Sequence, residues 1–219
     1  MTVKSFGRPC RRFLLPYAGH VTDFPVDGRR ARTERGKQAA VDALIEILMN
    51  NEPILGMGHI AERAGISERT MFRYFGNQDG MFKEVAAALL PVTTPYLLTP
   101  PPEGSLESRV RALVELRCDF ARRFAAVGRT VDRFVSQFEM ARDLRKNRDA
   151  LIRKQFNEWF APERKKLDRR TLVVVQEMMG FAFIDALNEE FGQKAPTVLA
   201  DHVLLVMRSG LRRGRASGS

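Results

Sequence analysis

Cysteine is almost absent from this 219-residue chain, which has only Cys10 and Cys118, too few for a disulfide framework. Only three histidines accompany them, and no set of side chains has the spacing of metal ligands. That scarcity excludes a zinc module and suits a reducing, cytoplasmic setting. Long hydrophobic runs are missing too: none reaches the roughly 18–20 apolar residues of a membrane helix, so no membrane partner is expected. Lys4, Arg8, Arg11 and Arg12 precede Phe13-Leu14-Leu15 in the order of a secretory signal, but Pro16 cuts the apolar run far too short. A phosphate-cradling glycine loop, a nucleophile elbow and a metal-ligand spacing are all lacking. No catalytic residue, metal or cofactor is expected.

Positive charge is what the chain has in excess. Lysine and arginine number 36 against 26 aspartates and glutamates, a formal net charge of +10. Such a balance points to an acidic polymer or surface as partner. The excess is uneven: residues 1–37 hold nine basic and three acidic side chains, and residues 38–90 hold four and seven.

Residues 1–27 contain Pro9, Pro16 and Pro25 with Gly7 and Gly19 and show no regular period, so they read as a flexible basic arm. Such an arm tracks phosphates or enters a minor groove; the alternative is a plain disordered tail. Residues 28–90 read as one helical domain. Its first helix covers about residues 30–49, where Ala40, Val41, Leu44, Ile45 and Leu48 make one apolar face. Asn50-Asn51 and Pro53 end it.

From His59 to Phe75 two short helices meet at a tight corner. Ile60, Ala61 and Ala64 form the apolar stripe of the first, Gly65 supplies a positive φ, and Ser67 caps the second. Met71, Phe72, Tyr74 and Phe75 are expected to pack, leaving Glu68, Arg69, Thr70 and Arg73 outward. This is the pattern of a helix-turn-helix, whose second helix enters a DNA major groove.

A fourth helix follows Gly76, capped by Asn77, with Met81, Phe82, Val85 and Leu89 on one face, and Pro91 is expected to stop it. Residues 91–104, with five prolines and Gly104, read as a linker. Residues 105–213 resume helical patterns behind a Ser105 cap, and residues 214–219 read as a solvated tail. Two late stretches, 172–187 and 198–207, are apolar on nearly all sides. A helix apolar all round is buried all round, which points to a homodimer interface; a central hairpin of a monomer is the alternative.

Candidate DNA contacts follow from chemistry and position. Arg69 and Arg73 lie four apart on one face and suit guanine edges or phosphate. Ser67 and Thr70 stand at a helix start, where hydroxyls and the helix terminus meet phosphate. Tyr74 can place its hydroxyl on phosphate. Glu68 repels phosphate and either accepts from a cytosine amino group or faces solvent. Arg35, with Arg29, Arg30, Arg32 and Lys37, leads into the first helix.

These residues resemble the DNA-binding domain of the TetR family of transcriptional regulators. The resemblance runs from about Thr33 to Val85: Asp42-Ala43-Leu44 and Ile47-Leu48, then Ile60 through Ser67, then Thr70, Tyr74, Phe75 and Phe82. It implies an all-α fold, an N-terminal three-helix helix-turn-helix domain joined to a C-terminal helical bundle for dimerisation and ligand binding. It also implies a homodimer on double-stranded DNA with a palindromic operator, and a repressor released by a small-molecule effector. The chain departs from the family pattern in four places. Gln78 replaces a common phosphate-binding lysine, though it can still donate to phosphate; Phe72 replaces a tyrosine, Gly56 stands near a threonine cap, and Glu68 puts an acid on the recognition helix.

Effector contacts are sought among aromatic and polar groups of the C-terminal half: Phe120, Phe138, Trp159, Gln176 and His202. Such a set suits an apolar or aromatic effector, although core packing explains the aromatics equally well. A competing function is a DNA-bound structural or cell-cycle factor of the same fold that recruits proteins and senses no metabolite. Release of DNA by a small molecule separates the two.

Overall fold

The computed structural model describes residues 28–216 apart from residues 51 and 55, with side chains up to residue 213. The expected arm at residues 1–27 lies outside the described residues. Among those described, all regular structure is helical.

The head consists of α1 (Gly28–Met49), α2 (Met57–Arg63), α3 (Glu68–Phe75) and the first half of α4 (Gln78–Leu98). Leu44 and Ile47 of α1, Ile60 of α2, Met71 of α3, and Met81 and Val85 of α4 bury together in one apolar cluster. The body holds α5 (Leu106–Phe134), α6 (Glu139–Trp159), the short α7 (Ala161–Arg164), α8 (Arg169–Met178) and α9 (Phe181–Phe191). A 3-10 turn (Gly192–Lys194) leads into α10 (Ala195–Ala216). Helix α5 is its axis, packed against α6 on one side and α9 and α10 on the other. Asn77, Ser105 and Asp168 start α4, α5 and α8 by accepting the backbone N–H of the residue three further on, which satisfies one of the orphan donors of each first turn.

Three sequence expectations fail here. Pro91 does not stop α4, which continues through Pro91 and Pro95 to Leu98, so the expected linker shrinks to the segment from Thr99 to Ser105. The two prolines are four residues apart and both exposed. Their missing N–H bonds therefore fall on one solvent-facing side, where the freed carbonyls are least costly. Burial of Leu89 and Leu97 on the opposite side holds the helix together. The expected single helix over residues 172–187 is two, α8 and α9, separated at Met179 and Gly180. The tail also differs: α10 extends to Ala216.

Cys118 is fully buried on α5, and burial pushes its thiol up to about 11. Replacing Pro91 by alanine restores a backbone donor to an exposed turn. Proline costs ~3 kcal/mol relative to alanine inside a helix, and its stiffening of the unfolded chain returns about 0.4–1 kcal/mol. Pro91→Ala is therefore expected to raise the melting temperature by roughly 4–8 °C in a chain of this size. A lower melting temperature in calorimetry would mean that packing requires the proline bend.

Candidate nucleic-acid interface

The corner between α2 and α3 is built from backbone bonds. Gly65 has φ of 69°; its N–H donates to the Glu62 carbonyl at 3.1 Å, and the Ile66 N–H donates to that of Ala61 at 3.0 Å. This is a Schellman closure, whose left-handed residue is nearly always glycine. Gly56, at the start of α2, has φ of 118° and ψ of −178° and no side-chain cap. A threonine there would be strained, so the glycine reflects a different local backbone.

Helix α3 is held at its start by Ser67, whose Oγ accepts from the Thr70 N–H at 3.2 Å and lies 2.8 Å from the Thr70 hydroxyl. Met71 and Phe75, four apart, bury into the head. The stripe opposite, Glu68, Arg69, Phe72 and Arg73, is exposed. Phe72 was expected to pack, but at 47% exposure it does not. It has turned with Glu68 toward the rim of a groove that Met57, Gln78 and Phe138 also line.

Tyr74 is half-buried because α1 has a glycine opposite it. A Cβ at Gly36 would stand 2.8 Å from the Tyr74 hydroxyl, so the small residue admits the ring. The Arg73 guanidinium lies 5.3 Å from the centre of the same ring. Arg35 is exposed one residue before Gly36, among the basic residues that open α1.

Charge is distributed sparingly over the head. Arg63 is engaged by Glu52 at 2.6 Å and Glu46 at 3.7 Å. Its hydrogen bond holds the Glu52 carboxyl below the usual carboxylate range. Glu68 is not simply outward: a Cβ at Gly58 would meet its Oε2 at 3.4 Å. Its carboxylate thus lies over the first turn of α2, at the positive end of that helix. Arg69, Arg73 and Lys83, the other lysine and arginine side chains of α2 to α4, have no carboxylate within 4.0 Å among the described residues. Gln78 is the first residue of α4 and half-buried.

The five side chains expected around an effector do not come together. Phe120 lines a water-sized void of about 10 Å³ in the body with Tyr96, Leu97, Arg117, Ile152, Met179, Phe181 and Ile184. Phe138 lies instead at the junction of head and body, its ring 5.8 Å from Phe82 and 5.5 Å from Phe134. Trp159 is buried and its indole N–H donates to the Thr99 carbonyl at 2.9 Å. Gln176 donates to Asn157 at 3.2 Å, and His202 is exposed with Nδ1 2.7 Å from the Val198 carbonyl. Aromatic and polar residue types marked these positions, but neighbouring helices decided where each one points.

Sequence reasoning missed Arg117. It is 4% exposed and reaches the carbonyls of Met179 at 2.7 Å and Ile152 at 2.6 Å, and Gln155 Oε1 at 3.4 Å. Burial pushes its guanidinium down to about 9, so it remains charged at neutral pH. A signal for it existed: Val110, Leu113, Val114, Cys118 and Ala121 form the buried stripe of α5, and residue 117 falls on that stripe.

Residues 55–85 match the family model described as bacterial regulatory proteins, tetR family. The match covers α2, α3 and the start of α4. Comparison with curated proteins returns no match.

The Ser67 cap is open to direct test on the protein alone. Ser67→Ala is expected to cost about 1 kcal/mol, read as a lower urea midpoint, and Ser67→Thr should recover most of it. An unchanged midpoint in the alanine variant would show that α3 does not rely on this cap.

Proposed function

This chain is a TetR-family DNA-binding transcriptional regulator, and from that premise we propose that it acts in the cytoplasm as a homodimeric repressor that holds a palindromic operator until a small-molecule effector binds. The observation that carries this reading is the exposed stripe of α3, presented on a head that shares α4 with the body. Arg69 and Arg73 read base edges in the major groove, where a guanidinium pairs with guanine. Ser67, Thr70, Tyr74, Gln78 and Arg35 face the phosphates on either side. Glu68 serves α2 more than a base.

Dimerisation is supported by apolar exposure. Val173 and Val174 of α8, Phe183 and Phe191 of α9 and Leu205 of α10 are large and solvent-exposed, and both α8 and α9 pack on α10. A second copy covering them pairs two recognition helices, and a two-fold pair reads half-sites one helical turn apart, about 34–36 Å.

Effector release works by population shift. The last turn of α4 is held by α6: Gln155 donates to the Tyr96 carbonyl at 2.8 Å and Trp159 to that of Thr99 at 2.9 Å. Tyr96 needs this donor because Pro100, which stands where its helical partner would be, has no N–H. Anything that moves α6 therefore moves α4, and α4 packs on α3.

Selection of bound sequences from random DNA by the purified full-length protein should return one palindrome, and small molecules should then displace it. Failure to enrich any sequence would overturn the reading. On the selected site, Arg73→Ala is expected to cost ~1–3 kcal/mol of binding, about 5- to 150-fold, with little change in melting temperature. Arg63→Ala, which removes a cation already engaged by Glu52 and Glu46, should leave affinity unchanged. Leu205→Asp should sediment as a monomer in analytical ultracentrifugation; a persistent dimer would place the interface elsewhere.

A further inference from the structure

Helix α5 carries several arginines, and the most buried of them has no anion. Arg109, Arg111, Arg122, Arg123 and Arg129 each have a carboxylate within 4.0 Å. Arg117, at 4% exposure, forms no such pair among the described residues. Its three partners are neutral: the Met179 and Ile152 carbonyls and the Gln155 amide oxygen. Met179 caps the C-terminus of α8, so the negative end of that helix offsets part of the charge. A buried cation without a counter-charge is otherwise strongly unfavourable.

Guanidinium has five N–H donors, and these bonds use one from each nitrogen. One N–H remains on each terminal nitrogen, the number that a bidentate carboxylate accepts. Arg117 also lines the void, whose other walls are aromatic and aliphatic, among them Tyr96, Leu97, Phe120, Phe181 and Ile184. That void has about 10 Å³, room for little more than a water, so a ligand must widen it. The backbone beside it is broken twice, at Phe124 within α5 (φ −116°, ψ 17°) and at Met179–Gly180 between α8 and α9. Helix segments at such breaks shift without losing a continuous hydrogen-bond ladder.

We propose that the effector is a small apolar acid whose carboxylate sits on Arg117 and whose apolar or aromatic tail enters between Tyr96, Phe120 and Phe181. This rests on the effector-released repressor reading above and adds the ligand's charge and anchor. The incoming carboxylate takes the two free N–H groups and, in widening the void, draws the guanidinium away from the Met179 and Ile152 carbonyls, loosening α8 and α6 from α5. Gln155 accepts from Arg117 and donates to the Tyr96 carbonyl, so it joins the anion seat to the end of α4.

The test uses matched probes on the full-length protein: 2-naphthoate against 2-naphthamide and 2-naphthylmethylamine, and decanoate against decanamide. Binding is read by titration calorimetry and thermal shift, and release of the selected operator by fluorescence anisotropy. At least one acid should bind about tenfold or more tightly than its amide and should displace DNA. Arg117→Met should abolish that preference. Gln155→Glu, which supplies an internal anion, should abolish acid binding in a folded protein even if the Arg117 variant does not fold. Equal binding of acid and amide, no binding by any acid, or undiminished acid binding in Gln155→Glu overturns the proposal. Operator release by amide or amine alone overturns the anion seat and leaves the repressor reading standing. Acid binding at Arg117 without operator release does the reverse.

Discussion

Head and body share one helix, α4, and also meet where α1 packs on α5. Met81, Val85 and Leu89 of α4 bury in the head cluster, and Leu97 buries in the body cluster. At 1.5 Å per residue, the 21 residues of α4 extend about 31 Å. The head therefore cannot turn on the body without bending this helix or carrying it along. Its two prolines fall between Leu89 and Leu97, so the stretch between the clusters is where the hydrogen-bond ladder is thinnest. A second attachment lies at the other end, where Phe82 of α4 meets Phe134 and Phe138 at the corner between α5 and α6. The start of α4 is thus held by rings and its end by the Gln155 and Trp159 hydrogen bonds, with both prolines lying between.

The electrostatics of the head are as economical as its packing. Arg63 serves Glu52 and Glu46, and Glu68 serves the first turn of α2, so both act within the head. The net negative balance of residues 38–90 means that attraction to a polyanion cannot come from α2 to α4 as a whole. On the proposed DNA-binding reading, that attraction falls to the basic residues 1–37, including the exposed arginines at the start of α1, and to the local stripe of Arg69 and Arg73. On that reading, long-range attraction and close reading are separate: a charge-rich entry to α1 would work over a Debye length of about 8–10 Å, whereas the α3 arginines would act in contact.

Legibility in the sequence followed the range of the physics. The head could be read because its signals are local: the Ser67 and Asn77 caps, the Gly65 corner and the apolar stripes of α1 and α4 each depend on neighbours within four residues. Proline at residue 91 is also a local signal, and there it misled, because burial of Leu89 and Leu97 on the far side outweighed the lost bonds. Gly180 was visible but hidden within an apolar run that looked continuous. Side-chain destinations in the body were not legible at all. Trp159 and Phe120 have similar burial, yet one bonds the end of α4 and the other lines the void, and only the arrangement of α4, α5, α6 and α9 decides between them. Arg117 was missed for a different reason, since a charge on an apolar stripe is usually taken for a stripe boundary.

On the proposed effector-release reading, the position of Arg117 also bears on why the closed body would be the state that holds DNA. A ligand shifts an equilibrium only by its differential affinity for the two states, and a void of about 10 Å³ gives a ligand almost nothing in the closed one. On the same reading, nearly all binding energy of an effector would be gained in the opened state, which would make the coupling strong even for a modest ligand. The cost of opening falls on a few hydrogen bonds from Arg117 and Gln155 and on the close approach of α5 and α9, where a Cβ at Gly128 would come within 2.2 Å of the Phe181 ring. That contact lies one turn beyond the Phe124 break in α5. A close helix–helix approach and a break in the α5 backbone are thus adjacent, and a tail displacing Phe181, as proposed, would act on both.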